Sequence, residues 1–379
     1  MKFTCKQSDF NIALSAVSRA IPSRPSHPIL ANILIKIIKE KQSIQVMAYD
    51  LSLGIFATFL AEVEDDDRSC ITLPARLLTS IVSHLSDEDI TLESLPGTNT
   101  VEITSSTGKY QIQGLDAEEY PVLPDVNNQN SLTLPVEFFN QGLNAALFAV
   151  SPDETKQVLT GLHLIVSLKK LEFAATDGHR LAMIEIPRDV DSIEMEDANF
   201  FEATIPGRAL KELAKIIGSS KVESLSIAFE SNQIAFGIGE QKMISRILEG
   251  KYPDYKQLIP TQFNKTVTIN RKKIIDALER ISILTATCVL LRISESDQCV
   301  YVTSEAKDIG IGEEIVFAQV TGGELSLSFA SKYAIESLKH LETEEVQIHI
   351  NSAKSPVIFT PLTGAKVVHL LMPIQLRSL

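Results

Sequence analysis

Asp177, Gly178, His179 and Arg180 stand consecutively in the stretch AATDGHRLA, residues 174–182. A carboxylate can orient an imidazole as a general base, and a guanidinium can steady a developing negative charge. Asp177 and His179 are therefore a candidate hydrolytic pair. That chemistry needs side chains converging on one atom, and neighbours separated by one glycine are badly placed for it. No His-Glu-x-x-His helix, glycine-rich phosphate loop or Gly-x-Ser-x-Gly turn accompanies them, and the GIG stretches at 237–239 and 310–312 are too short for a dinucleotide fingerprint. The seven histidines show no ligand spacing, and Cys5, Cys70, Cys288 and Cys299 are scattered without Cys-x-x-Cys spacing. No metal or cofactor is expected, and free thiols suit a reducing cytoplasm. The competing reading is a polar turn whose aspartate bonds its own backbone.

The elements around the turn favour that second reading. Six times, alternating residues run straight into a helix opening: MKFTCKQSDF, CITLPARLL, LTLPVEFF, ATIPGRAL, VTINRKKI and LSFASKYA. They begin near residues 1, 70, 132, 203, 266 and 326. Pro74, Pro135 and Pro206 are expected at first helical positions, where a missing N–H costs nothing. Apolar stripes follow at helical spacing: Phe10, Leu14, Val17; Leu77, Ile81, Leu85; Phe139, Leu143, Val150; Leu210, Leu213, Ile217; Ile274, Leu278, Ile281; and Ile335, Leu338, Leu341. Strand-like runs such as SIQVMAYD, LEFAATDG and CVYVTSEA come between, without crossover helices, which predicts antiparallel sheet.

The six copies pair into three. YPVLP (120–124) matches YPDYKQLIP (252–260), and LLMPIQL (370–376) closes the third pair. AYDLSLGIF (48–56) lies over ATDGHRLAM (175–183) at an offset of 127. Three domains are expected: 1–125, 126–260 and 261–379, with DVNNQNS as the first linker. Asp50 is the counterpart of Asp177, so the aspartate belongs to a recurring strand-end turn. Gly178-His179-Arg180 is the addition peculiar to the middle domain. The run Glu64-Asp65-Asp66-Asp67 reads as a solvated hairpin tip.

With 44% apolar and 22% charged residues the chain reads as globular. It has no long apolar run, and its start lacks the pattern of a signal peptide, so membrane insertion and export are not expected. A net charge of −13 speaks at first against nucleic acid. The charge is unevenly spread, however. The six helical segments with their flanks (6–24, 71–86, 135–150, 206–221, 271–282 and 331–340) carry +8, leaving −21 for the rest. Arg208, Lys211 and Lys215 make a stripe at i, i+3 and i+7. Basic helices on an acidic body suit phosphate contacts without base readout, and the lack of tryptophan favours duplex over stacked single strands. At about 9–10 Å between axes, six helices close a ring with a hole of only about 9 Å, too narrow for a duplex about 20 Å wide. Twelve leave about 26 Å. Encirclement therefore requires two chains.

RPSHPILANILI (24–35), ATDGHRLA (175–182), YPDYKQLIP (252–260) and LLMPIQL, in that order and with the threefold repeat, resemble the bacterial DNA polymerase III β sliding clamps over essentially the whole length. The resemblance implies an α+β fold of three tandem clamp domains, each of two helix-plus-antiparallel-sheet units, forming half of a closed ring. It implies a processivity factor without catalytic activity or cofactor. The implied partners are encircled double-stranded DNA, a second copy head to tail, the replicative polymerase catalytic subunit, a clamp loader and other replication and repair proteins carrying clamp-binding motifs. The implied location is the bacterial cytoplasm at the nucleoid.

By the same resemblance, a peptide-binding pocket uses Leu159, Thr176, Gly178, His179, Arg180, Leu181, Pro253, Leu258, Tyr333, Met372, Pro373, Ile374 and Leu376. An apolar groove edged by a few donors is the usual form of such a site. Gln257 and Gln375 stand where the family commonly has basic residues, which thins the positive rim. Residues 377–379 extend past the usual end, and the segment at 283–294 is short for the family. Arg24 matches a DNA-touching position and Lys156 lies in a corresponding loop. Arg208, Lys211, Lys215, Lys272 and Lys273 are assigned to DNA on the distribution of helix charge. A clamp-like scaffold that no longer encircles DNA, and the Asp177/His179 hydrolase, are the alternative readings.

Overall fold

The computed structural model describes the chain except residues 65–69, 125, 127–130, 189–200, 231, 285–286, 307–308 and 375–379. All six strand–helix openings form. Strand β1 (Lys2–Lys6) runs into α1 (Gln7–Val17), followed by β2 (Asn32–Ile38), β3 (Ser43–Tyr49), β4 (Leu53–Leu60) and the short β5 (Glu62–Val63). Then β6 (Cys70–Pro74) enters α2 (Ala75–His84), with β7 (Asp89–Ser94), β8 (Thr100–Thr104) and β9 (Lys109–Gln113) behind it. The middle repeat has β10 (Ser131–Pro135), α3 (Val136–Ala146), β11 (Gly161–Val166), β12 (Lys170–Thr176) and β13 (Arg180–Pro187), then β14 (Phe201–Pro206), α4 (Gly207–Ser219), β15 (Ser224–Glu230), β16 (Gln233–Ile238) and β17 (Gln241–Arg246). The last has β18 (Lys265–Asn270), α5 (Arg271–Ile281), β19 (Val289–Ser294), β20 (Cys299–Ala306) and β21 (Gly310–Thr321), then β22 (Leu325–Phe329), α6 (Ser331–Lys339), β23 (Glu345–Ile350), β24 (Val357–Pro361) and β25 (Lys366–Leu371).

Two expectations need correction. Pro74, Pro135 and Pro206 are the last residues of β6, β10 and β14, not the first of the helices. Pro74 has φ −55° and ψ 113°, an extended conformation that a fixed proline φ also suits. On α2 the buried face is Ala75, Leu78 and Val82, while Leu77 is 49% exposed. Adjacent leucines made the phase of that stripe ambiguous. Most of the remaining stripe residues are buried, from Phe10 and Leu14 on α1 to Leu338 on α6, with Val150 and Ile335 half-buried.

Strand pairing ties neighbouring repeats together. One compact unit takes Met1–Val136 with Lys211–Ile247, the other Glu137–Leu210 with Leu248–Leu379. The first unit holds a five-stranded sheet, β5-β1-β7-β8-β9, and an eight-stranded one, β10-β15-β16-β17-β4-β3-β2-β6. The second holds one sheet of twelve, β14-β11-β12-β13-β25-β24-β23-β18-β21-β20-β19-β22. Every named pairing is antiparallel, from Phe3 opposite Leu92 to Ile184 opposite Val367. The strand joins across repeats are β17 with β4 and β13 with β25.

Strand β12 is buried on both faces, which explains its continuous apolar run. Phe173 on one face meets Phe139 of α3 edge-on, ring centroids 5.4 Å apart. On the other, Ala174 joins Leu181, Met183, Tyr252, Tyr255, Ile358 and Leu370 in a single core cluster. Glu172 is fully buried there, accepting from the Tyr255 hydroxyl, from Lys256 and from Lys170. Burial opposes its ionisation, yet those donors outweigh it and hold the carboxyl below the usual range.

Strand edges open among the described residues include those of β9 and β21. β9 ends the five-stranded sheet. β21 pairs with β20 along residues 310–317, but β18 covers its other side only at 318–321.

Candidate functional site

The turn between β12 and β13 is built by its own polar groups. Asp177 accepts the amides of His179 and Arg180 on Oδ1, at 2.9 and 3.0 Å. Thr176 Oγ1 accepts the Gly178 amide and donates to the Arg180 carbonyl, while the Thr176 amide donates to the Tyr252 hydroxyl. Gly178 has φ +91°, in the region that favours glycine. The first repeat makes the same turn: Asp50 Oδ1 accepts the amides of Ser52 and Leu53, and Leu51 takes φ +74°. The aspartate is thus a turn-former in both copies.

Its second oxygen binds Arg180. Nε of Arg180 donates to Asp177 Oδ2 at 3.1 Å, one terminal nitrogen to Glu336 on α6, and the other to the Phe148 carbonyl at 2.8 Å. The guanidinium carbon lies 4.5 Å from the Tyr333 ring centroid and 5.1 Å from that of Phe148. Arg180 is 7% exposed and Asp177 4%. This carboxylate meets His179 through the backbone amide, and the His179 imidazole instead stacks near Tyr333, at 6.3 Å and 22°. The geometry expected of a base and its orienting acid is not formed here.

A surface is assembled around this anchor. The His179 carbonyl accepts the Met372 amide, and the Ser328 carbonyl on β22 accepts that of Ile374, which pins 372–374 beside the turn. Met372 and Ile374 remain 41% exposed, and Leu258 54%. Leu159 packs half-buried against the cluster containing Leu181 and Tyr252. Gly178, His179 and Pro253 are exposed, while Tyr333 and Pro373 are half-buried. Thr176, Arg180 and Leu181 are buried and support the wall from behind. Leu376, Gln375 and 377–379 lie outside the described residues; Gln257 donates to Asp254 at 2.7 Å.

The residues assigned to DNA are distributed differently. Lys156 donates to the Asp177 carbonyl at 3.2 Å, which places it at the turn itself. Lys211 and Lys215 are exposed on α4, with Lys215 shared by Glu212 at 2.8 Å, and Lys272 and Lys273 are exposed in the first turn of α5. Arg24 and Arg208 are also exposed. Asn270 caps α5 by accepting the Lys273 amide. Among the described residues no group of three or more His, Cys, Asp or Glu is placed to hold a metal ion, and no helix is long and apolar enough to cross a membrane. The acidic residues 65–67 lie outside the described residues, and Glu64 pairs with Lys2.

Sequence patterns missed Glu336, Phe148 and Ser328 as supports. Two of these hold their partners through backbone carbonyls, which any residue type supplies.

Models of the DNA polymerase III beta subunit match in succession: the N-terminal domain at 1–124, the central domain at 133–254 and the C-terminal domain at 256–375. The beta sliding clamp of Synechocystis sp. is 45% identical over 391 residues, covering 99% of this chain and all of that protein. That of Synechococcus elongatus is 43% identical over 383 residues and covers both chains fully. The crystal structure of the DNA polymerase sliding clamp from Bacillus subtilis superposes with a TM-score of 0.91 at 28% identity, over 99% of each chain. On three successive domain matches and relatives matched end to end, the chain belongs to the DNA polymerase III beta subunit, or beta sliding clamp, family.

Proposed function

We infer that the chain is a non-catalytic DNA sliding clamp: two copies close head to tail around duplex DNA and tether the polymerase working on it. The observation that carries this reading is the strand–helix unit that comes six times, with Arg76, Lys211, Lys215, Lys272 and Lys273 exposed on α2, α4 and α5. Enclosure supplies the retention, while weak phosphate contacts leave the ring mobile. Two chains are needed because six helices close too small a hole. The open edges of β9 and β21 are the surfaces a second copy would pair, and exposed Ile311, Ile315 and Phe317 on β21 add apolar area to bury there.

Partner peptides would dock on the surface of Leu258, Met372 and Ile374, flanked by His179 and Tyr333, in the manner of an extended segment laid in an apolar groove. Methionine there adapts to partners of different shape. The polymerase catalytic subunit, a clamp loader and other replication or repair proteins are the partners this surface would serve, in a bacterial cytoplasm. Light scattering at micromolar concentration tests the assembly. The expected mass is twice the 41.7 kDa chain, and a monomer throughout would sink the two-chain ring.

A further inference from the structure

The first unit carries a groove that the second unit has filled. It has a volume of about 570 Å³ and opens over β2, β3, β4 and β17 beneath residues 120–124. Register identifies its counterpart. Met47 stands opposite Phe56 and Gln45 opposite Thr58, as Ala174 stands opposite Met183 and Glu172 opposite Glu185. Tyr120-Pro121 open the segment above the strands, as Tyr252-Pro253 do.

There the likeness ends. In the second unit the segment is YPDYKQLIP, and its additional residues carry Tyr255 onto the strands. Tyr255 is 4% exposed, its ring 6.1 Å from those of His163 and Tyr252, its hydroxyl donating to Glu172. The first unit has the shorter YPVLP, in which Val122 points outward at 93% exposure. The place that Tyr255 takes in one copy is open in the other.

The lining shows what would fit. Met47, Phe56 and Ile244 offer apolar contact, and Gln45 stands where Glu172 receives the tyrosine hydroxyl. Lys36, Lys242 and Glu240 also line the groove, with lysine in excess. The counterparts of the two lysines by register are Ile165 and Val368. In the second unit the nearby lysines, Lys170, Lys256 and Lys366, pair with Glu172 and Glu185, whose places in the first unit are taken by the uncharged Gln45 and Thr58. We propose that the groove binds a short extended peptide of a partner protein, with an aromatic side chain inserted toward Gln45 and a neighbouring carboxylate against Lys36 and Lys242.

The full-length chain tests this with a labelled nonapeptide, Tyr-Pro-Asp-Tyr-Asp-Gln-Leu-Ile-Pro, read by fluorescence polarisation. A second peptide carries benzophenone at the inner tyrosine for photocrosslinking. Saturable binding is expected, with crosslinks on β3 and β4. The K36E/K242E variant should bind about tenfold more weakly, and a peptide with lysine for the second aspartate should regain affinity for that variant. Absence of saturation by about 1 mM would overturn the proposal. So would equal binding of a peptide with alanine at the inner tyrosine, indifference to K36E/K242E, or crosslinks confined to the Leu258–Met372 surface. A rise in solution mass that Val122→Asp abolishes would show a second copy of this chain in the groove instead, and would equally overturn it.

Discussion

Arg180 offers the sharpest test of how the docking surface is held. Arg180→Met keeps much of the side-chain bulk and removes three donors, to Asp177, Glu336 and the Phe148 carbonyl. Breaking a buried ion pair costs about 3–5 kcal/mol, because a charge is left without its partner. Two features bring the expected value to the lower end. Asp177 keeps the amides of His179 and Arg180, and Glu336, whose side chain is 32% exposed, can rehydrate. A loss of about 3 kcal/mol lowers the melting temperature of a unit of this size by about 6–12 °C. Scanning calorimetry of the full chain reads it directly. Arg180→Lys should recover less than half, since one ammonium cannot serve three separated acceptors. A shift below about 2 °C for Arg180→Met would refute the claim that this network anchors the turn.

Stability should also fall in acid. His369 is fully buried with its ring nitrogens 2.7 and 2.8 Å from the Ser337 and Ala145 carbonyls; burial outweighs these acceptors and lowers its pKa to about 4. Between pH 6.5 and 4 the unfolded chain then binds more protons, so stability drops as pH falls through that window, by about 3 kcal/mol in all. Burial lowers His163 and His349 too, in the same direction. Urea melts at pH 7 and 4.5 should show His369→Gln with a flatter pH dependence; an unchanged one would exclude His369 as a source. Gly142→Ala should destabilise by about 1–2 kcal/mol despite alanine's helix propensity, since a β-carbon there would sit 2.4–2.5 Å from the buried Phe173 ring. A more stable variant in the same melts would contradict that packing. Lys211→Glu with Lys215→Glu should leave the melting temperature within about 1 °C and flatten the salt dependence of DNA binding by about two in log–log slope. An unchanged slope would remove α4 from the DNA-facing set.

Much of the architecture was legible because each strand–helix opening changes period from two to 3.6 at a definable point. The prolines were placed one residue late because a φ near −60° suits both a strand's end and a helix's start. On α2, Leu77 and Leu78 stand side by side, and spacing alone cannot say which faces the core. The turn at Asp177 was readable from its recurrence at Asp50. What holds it was not: Glu336 is 156 residues from Arg180, and the Phe148 carbonyl leaves no mark in the sequence. The grouping into two units likewise depends on strand pairs between distant segments. No local pattern specifies that β4 meets β17.

That pairing bears on how the protein is made. β4 ends at Leu60 and β17 begins at Gln241, while β13 ends at Pro187 and β25 begins at Lys366. In each case roughly 180 residues must be synthesised before the waiting edge meets its partner, about 10–40 s at typical elongation rates. Through that interval the nascent chain exposes an unpaired strand edge, residues 53–57 in one case and 180–185 in the other, that could pair with a neighbouring chain. Severing the repeats near 125 or 260 would make the exposure permanent. A ribosome-bound holdase covering these segments in turn would protect both.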